Sequence, residues 1–297
     1  MRLRMDSRRG RRRTFVIRTF LLLCVLCLSL SAPATAAEHL LFMAGAAAQP
    51  VVEELVQGFE AKTGVKIDAN VGGSGSLLSQ IKLSKSGDVY FPGSIDFINR
   101  GIQDDQIVAS SVVPIVYLVP ALNVQPGNPK KITNFKDLCR PDVKVIIANP
   151  ETVCLGVFAV EMAEKLLTPD EKKAFRANIV NYAESCEKTA NSIALKAADA
   201  VVGWSVFQHW NSKLIETVPL PPEQILRISY LAISMTKYAK NPETAQKFID
   251  YVKSAEGMDV FKKYRYFVTA EEAQAYIGQP KPIGGDCFVV PEEWMSK

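Results

Sequence analysis

The chain has few of the residues on which most enzymes depend. Only two of its 297 residues are histidine, His39 and His209, and His209 lies in an ordinary polar stretch beside Trp210. The sequence contains no H-x-x-x-H pair, no Gly-x-Ser-x-Gly turn and no phosphate-binding loop. These absences argue against the enzymes that such motifs mark, so we expect no catalytic residue, no metal site and no cofactor.

The excess of basic over acidic residues is confined to the N-terminus. Eight arginines and one acidic residue fall in residues 1–36, and without them the 35 basic and 31 acidic residues of the chain leave a net charge of −3 instead of +4. The rest of the chain is mildly acidic and gives no electrostatic reason to bind nucleic acid, so we expect no nucleic-acid partner.

The apolar stretch at residues 20–28 is too short for a comfortable membrane span. A basic region, residues 8–18, precedes it, and residues 34–36 have the small-x-small pattern that signal peptidase cleaves. We therefore predict a signal peptide over residues 1–36 and a mature chain in the periplasm. A retained membrane anchor is the alternative, and the choice between general secretion and twin-arginine export stays open.

Cysteine spacing gives no support for a metal site. Cys24 and Cys27 fall in the predicted signal peptide, and the other four have neither a C-x-x-C spacing nor an adjacent histidine. An even number of cysteines in an oxidising compartment favours disulfide bonds. Sequence alone does not choose among the three pairings open to Cys139, Cys154, Cys186 and Cys287.

Strand and helix patterns alternate along the rest of the chain. Residues 39–44 and 65–71 are apolar strands, and between them apolar residues recur at helical spacing. A loop rich in glycine and serine, residues 72–76, follows the second strand and opens a helix. The second half repeats this order from residues 143–148 onward. The pattern predicts an α/β protein whose mostly parallel sheets are covered by helices on both faces.

The order and spacing of these motifs resemble those of the molybdate-binding branch of the type II periplasmic binding proteins. The similarity covers nearly all of the mature chain to about Phe267. In the first half it rests on residues 42–47, 59–65, 73–76 and 87–89, and in the second half on residues 149–156, 199–204 and 261–264.

The resemblance implies two α/β lobes joined by two hinge strands. Lobe one is expected at residues 37–116 plus 230–297 and lobe two at residues 117–229, with apolar crossings at residues 115–119 and 228–233. The function implied is that of a monomeric receptor of an ABC importer. It closes by hinge motion on one small oxyanion, molybdate- or tungstate-like, and delivers the oxyanion to a membrane permease.

Helix starts can hold such an anion without full neutralisation by arginine or lysine. Backbone N–H groups in the first turn of a helix have no acceptor inside the helix, and the helix dipole favours negative charge there. Two loops of the first half have this character, Ala46–Ala47 and Gly73–Ser74. Ser74 matches an anion-binding serine of the family, although a serine there is also typical of an ordinary helix cap.

The resemblance also implies contacts from lobe two. The turn at Cys154 and Leu155 is expected to offer a backbone donor, and Thr189 starts a helix whose counterpart faces the ligand. Trp204, or Val206, lies near the position of a family tyrosine, although core packing also explains the tryptophan.

Two departures from the family pattern bear on the ligand. Ala47 stands where the family has a serine, and the family tyrosine is not evident. A site without both hydroxyls has fewer donors, and unpaired acceptors are costly. The ligand is therefore left open between molybdate, another oxyanion and a different small anion.

The family layout places Cys154 and Cys186 in loops at the cleft edge of lobe two. It implies a disulfide between them, and then a second one between Cys139 and Cys287. A free Cys154 that faces the ligand is the alternative.

Three other functions share features with this sequence. Cys154 precedes a helix that would stabilise a thiolate, as in a cysteine-dependent exported enzyme. The ligand-sensing domain of a transcription regulator shares the two-lobed architecture, but a signal peptide occupies the place of its DNA-binding segment. A receptor for ferric iron or an organic anion on the same fold is the third, although iron receptors use adjacent tyrosines.

Overall fold

The computed structural model describes residues 39–285 and 288–295. The predicted signal peptide and Cys287 lie outside this part of the chain.

Strands and helices alternate as the sequence pattern predicts. The strands are β1 (His39–Gly45), β2 (Lys66–Gly72), β3 (Val89–Phe91), β4 (Val113–Leu118), β5 (Pro120–Val124), β6 (Val145–Ala148), β7 (Ile179–Ala183), β8 (Ala200–Trp204), β9 (Glu216–Pro219) and β10 (Ser229–Met235). The α-helices are α1 (Gln49–Thr63), α2 (Ser74–Ser84), α3 (Ile95–Gln103), α4 (Cys154–Leu166), α5 (Pro169–Asn178), α6 (Cys186–Ala194), α7 (Phe207–Trp210), α8 (Pro242–Lys253), α9 (Ala255–Lys263) and α10 (Ala270–Ile277).

The strands form two five-stranded sheets, one for each lobe. The first has the order β2-β1-β3-β10-β4 and the second the order β7-β6-β8-β5-β9. The chain leaves the first sheet between β4 and β5, at Val119, and returns to it ahead of β10. The two-lobed α/β fold expected from the sequence is confirmed.

The sheets are mixed, which corrects the expectation of mostly parallel sheets. In the first sheet β1 pairs in parallel with β2 and β3, whereas β10 runs antiparallel to β3 and β4. In the second sheet β6 pairs in parallel with β7 and β8, whereas β5 runs antiparallel to β8 and β9. Apolar periodicity identifies a strand without giving its direction, so the antiparallel strands next to the crossings were not foreseeable from it.

The described residues form two apolar cores: the first contains the first sheet and also second-lobe residues such as Cys154 and Trp204, and the second lies mainly in the second lobe. Aromatic rings pack edge to face in the first, where the centroids of Phe42 and Phe248 lie 4.9 Å apart. In the second, Phe175 packs against Phe135 and against Trp294 near the C-terminus. Parallel strands end at one edge of a sheet, so the helices that follow β1, β2 and β6 all start at the edges where the two sheets face each other. None of the helices in residues 39–285 and 288–295 is long and apolar enough to cross a membrane.

Candidate functional site

Several helix starts from the two lobes meet at Gly93. A Cβ atom built on Gly93 would lie 2.6 Å from Cys154 Sγ, 2.8 Å from Ala47 Cβ and 3.7 Å from Ser74 Oγ. We call these four residues, Ala47, Ser74, Gly93 and Cys154, the interlobe cluster. Gly93 allows this approach because any side chain there would collide with its neighbours.

The backbones of the two lobes touch beside the interlobe cluster. The Gly75 N–H donates to the Thr152 carbonyl across 2.8 Å. A Cβ at Gly73 would lie 2.8 Å from the carbonyl oxygen of Glu184 and 2.9 Å from that of Thr152. The structure is therefore a closed conformation in which the glycine-rich loop after β2 lies against the second lobe.

The helices that start here have no side-chain caps. The residues before α1, α2, α3 and α4 make no capping hydrogen bond from a side chain. Some first-turn amides already donate to backbone carbonyls: Gly75 to Thr152, Phe97 to Ser94 and Gly156 to Val153. The other first-turn amides have no capping side chain, so they are the candidate donors for an outside acceptor. The helix dipoles place partial positive charge at these helix starts, beside the buried interlobe cluster.

Ser74 is held firmly in the interlobe cluster. Its side chain is 2% exposed, and its Oγ accepts a hydrogen bond from the Gly93 N–H at 3.0 Å. Its carbonyl accepts from the Tyr90 hydroxyl at 2.8 Å. Burial raises the pKa of Tyr90 well above its ordinary value, so the phenol stays a neutral donor. The hydroxyl proton of Ser74 is not used by the hydrogen bond from Gly93, and the Cys154 sulfur is one acceptor that it reaches.

Cys154 and Cys186 are both buried free thiols, which corrects the predicted disulfide between them. The neighbouring Cys186 thiol, and then burial, raise the pKa of Cys154 well above its ordinary value, against a smaller lowering by the Ser74 hydroxyl. Both cysteines occupy the first position of a helix, α4 and α6, so each backbone is fixed by its own helix. Cys139 is also a free thiol, and its predicted partner Cys287 lies outside the described residues.

Four other residues were predicted to line the site, and the structure places them in different environments. Ala46 and Leu155 are buried beside the interlobe cluster, in the turn before α1 and in the first turn of α4. Thr189 does not start its helix, as was predicted, but is the fourth residue of α6, and its hydroxyl donates to the carbonyl of the cap residue Ser185 at 2.8 Å. Trp204 packs against Phe158, with ring centroids 5.1 Å apart. Its indole N–H is buried and has no acceptor among the described residues.

Sequence reasoning missed two contributors to the site. One is the segment at Gly93 and Ser94, between β3 and α3, whose small residues directly after a buried strand were the available signal. The other is Tyr266, whose buried hydroxyl donates to the Ala47 carbonyl at 2.6 Å. It follows α9 in sequence, and no local pattern links it to Ala47.

A surface groove lies elsewhere on the second lobe. It has a volume of about 990 Å³ and includes Lys172 and Arg176 among its lining residues. Lys172 pairs with Glu164 at 2.5 Å, and Arg176 lies 3.8 Å from Glu293. Its cations are thus partly neutralised by neighbouring carboxylates, and no helix starts from the two lobes converge there. Because of these chemical differences, we favour the interlobe cluster over this groove as the candidate anion-binding site.

Comparisons with known proteins agree with this architecture. The family model for bacterial extracellular solute-binding proteins matches residues 40–266. A protein of Haemophilus influenzae provisionally named a binding protein is 28% identical over 229 residues, which are 76% of this chain and 89% of the relative. One of Bacillus subtilis, provisionally named an ABC transporter substrate-binding lipoprotein, is 25% identical over 77% of this chain and 85% of its own length. The molybdate-binding protein of Rhodobacter capsulatus is 22% identical over 81% of this chain and 92% of its own length.

Solved structures share the fold. The periplasmic molybdate-binding protein of Azotobacter vinelandii superposes with a TM-score of 0.66 at 19% identity, over 77% of this chain and 99% of that one. The sulfate-binding protein SubI of Mycobacterium tuberculosis gives a TM-score of 0.68 at 16% identity, over 83% and 94% of the two chains. With a family model that spans most of its length, the chain belongs to the bacterial extracellular solute-binding proteins.

Proposed function

We propose that this protein is the substrate-binding protein of an ABC importer and that it binds one small tetrahedral oxyanion, molybdate- or tungstate-like, at the interlobe cluster. The observation that carries the proposal is the set of four uncapped helix starts around the buried Ser74 hydroxyl. The names of the relatives from Bacillus subtilis and Rhodobacter capsulatus support the transport role and the ligand class.

Neutral donors suit a transport receptor. A desolvated anion needs a hydrogen-bond donor for each exposed lone pair, and backbone amides at helix starts supply several. The residues of the interlobe cluster, Ala47, Ser74, Gly93 and Cys154, carry no formal charge. The ligand is therefore bound without a salt bridge, which lets it leave when the lobes separate at the permease.

Entry and release require the lobes to open. Ala47, Ser74 and Cys154 are each at most 2% exposed, so no path from solvent reaches them in the closed conformation. The two chain crossings, at Val119 and ahead of β10, are the natural hinges. The protein works as a periplasmic monomer that is exported by the signal peptide at residues 1–36.

The interlobe cluster does not suit a cysteine-dependent enzyme. The nucleophile of such an enzyme is a thiolate, whereas burial and Cys186 favour the neutral thiol of Cys154. The relatives described above are named as binding proteins, which also favours a receptor.

Calorimetric titration of the mature protein with molybdate, tungstate, sulfate and phosphate tests this proposal. We expect 1:1 binding of at least one of them. Ser74→Ala should weaken that binding about tenfold or more, as expected for the loss of a hydrogen bond to a charged group. Ser84→Ala is the matched control, since Ser84 ends the same helix and is exposed. No heat from any of the four anions, or equal affinities for the two variants, would contradict the proposal.

A further inference from the structure

Three charged side chains are buried together between the lobes. The side chains of Asp96, Glu161 and Arg227 are 0%, 7% and 6% exposed. Burying a charge is costly unless it is paired, so a buried network of three needs a structural or functional reason.

Each of the three belongs to a different part of the fold. Asp96 lies in the first turn of α3, which packs against β10 in the first lobe. Glu161 lies on α4, which packs against β6 and β8 in the second lobe. Arg227 lies on the segment that returns from β9 of the second sheet to β10 of the first. The network therefore joins both lobes to a crossing of the hinge.

Among the described residues, Arg227 links the two carboxylates. Its Nε donates to Glu161 Oε2 at 2.9 Å. Its Nη1 lies 3.2 Å from both oxygens of Asp96, and its Nη2 lies 3.2 Å from Asp96 Oδ2. The planar guanidinium has donors on several edges, so it can serve two carboxylates at once.

Neighbouring groups fix this arrangement. The guanidinium lies over the Phe158 ring, 3.9 Å from its centroid. Ser94 donates to Asp96 Oδ2 at 3.1 Å, and Lys165 donates to Glu161 Oε1 at 2.8 Å. Both carboxylates are thus held in place from their own lobes.

The helices that carry the two carboxylates, α3 and α4, both start at the interlobe cluster. Asp96 follows Gly93 by three residues, and Glu161 follows Cys154 by seven, about two helical turns. An anion that draws the starts of α3 and α4 together would also bring their carboxylates onto Arg227. When the lobes separate, α3 moves away from α4 and Arg227 must release one carboxylate.

We propose that Arg227 is a positioning residue that couples lobe closure to ligand retention, by joining Asp96 of one lobe to Glu161 of the other without touching the ligand. This inference rests on the proposed function for its effect on the ligand. Its effect on lobe closure is independent of what the ligand is.

Two conservative variants test the proposal. Arg227→Lys keeps the charge but loses the planar fork, and Asp96→Asn removes the charge on the first-lobe side. Lys172→Gln is the matched control, because Lys172 pairs with Glu164 within the second lobe. Circular dichroism and a thermal melt establish that each variant is folded.

The first readout needs no ligand. Under the proposal, the Arg227 network stabilises the closed conformation even without ligand, so part of the ligand-free wild type is closed. Small-angle X-ray scattering of the ligand-free proteins should therefore show a larger radius of gyration for Arg227→Lys and Asp96→Asn than for the wild type and the control. An unchanged radius for both folded variants would overturn the proposal, even if no oxyanion is ever found to bind.

The second readout uses the oxyanion that the wild type binds best among molybdate, tungstate, sulfate and phosphate. Stopped-flow release should be about tenfold faster in both variants, within the usual range for coupling between sites. Release at the wild-type rate would overturn the proposal. If the wild type binds none of the four anions, the proposed function fails, and the scattering result alone decides whether Arg227 holds the lobes closed.

Discussion

Eight of the ten α-helices in the described residues fall into two sets that differ at their first residues. α5, α8, α9 and α10 each begin with a side-chain cap that accepts a hydrogen bond from the first turn, supplied by Thr168, Asn241, Ser254 and Thr269. The helices α1 to α4 begin without one. The capped set starts away from the interlobe cluster, and the uncapped set starts at it.

Ser94 makes the difference clear. It occupies the cap position of α3 and is a good capping residue type, yet its hydroxyl donates to Asp96 instead of accepting from the helix. Caps usually contribute about 1 kcal/mol each. The proposed function accounts for their omission at four neighbouring helices, since a bound anion would accept from the free amides there. Two helices fit neither set: α6 starts at Cys186 but is capped by Ser185, and the four-residue α7 lacks a side-chain cap.

The most disruptive test of the uncapped set is Gly93→Ala. The added Cβ would collide with Cys154 and Ala47, and overpacking of this kind costs about 1–3 kcal/mol of unfolding free energy. We also expect oxyanion binding to be lost, because the helix starts can no longer approach. Urea unfolding and calorimetry measure the two effects. Gly72→Ala is the control, since its Cβ would meet only ordinary contacts with Leu77, and equal behaviour of the two variants would contradict the account.

A new cap on α4 should turn an uncapped helix into a capped one. Val153 has the extended backbone of a cap residue, so in Val153→Thr the hydroxyl can accept from the first turn of α4. The capped amides are then lost to the ligand, and we expect affinity to fall several-fold in calorimetry. Val180→Thr, at an exposed strand position, is the control. Unchanged affinity in Val153→Thr would show that these amides take no part in binding.

Removal of a cap from the other set should have the opposite signature. Thr168 and Glu171 form a reciprocal capping box at the start of α5. We expect Thr168→Ala to lower the unfolding free energy by about 1 kcal/mol and to leave ligand affinity unchanged, as urea titration and calorimetry would record. A loss of affinity here would break the distinction between the two sets.

The smallest effect concerns thiol reactivity. Burial raises the pKa of the half-buried Cys139 to about 11, so at pH 8 only about one thiol in a thousand is the reactive thiolate. Iodoacetamide labelling at Cys139 should be slow at pH 8 and rise about tenfold per pH unit up to that pKa. Cys154 and Cys186 should label only after unfolding, because both are buried. Peptide mapping by mass spectrometry follows each site, and a peptide pair linked through Cys154 and Cys186 would contradict their assignment as free thiols.

Local pattern was enough to predict the alternation of strands and helices and the loop at Gly73 and Ser74, because periodicity and glycine placement are local properties. It did not predict strand direction, which depends on how the chain returns through each sheet. It also did not reveal Gly93 or Arg227, whose partners lie far away in sequence. The Cys154–Cys186 contact was foreseen through the family layout, but its chemical state was not.

Backbone amide shifts during an oxyanion titration test the central claim most directly. With the ¹⁵N-labelled mature protein and the anion that binds best in calorimetry, we expect the largest changes at the first-turn amides of α2 and α4, including Ser74 and Leu155, saturating at one anion per protein. Saturable changes centred on the groove at Lys172 and Arg176, with none at Ser74 and Leu155, would contradict it.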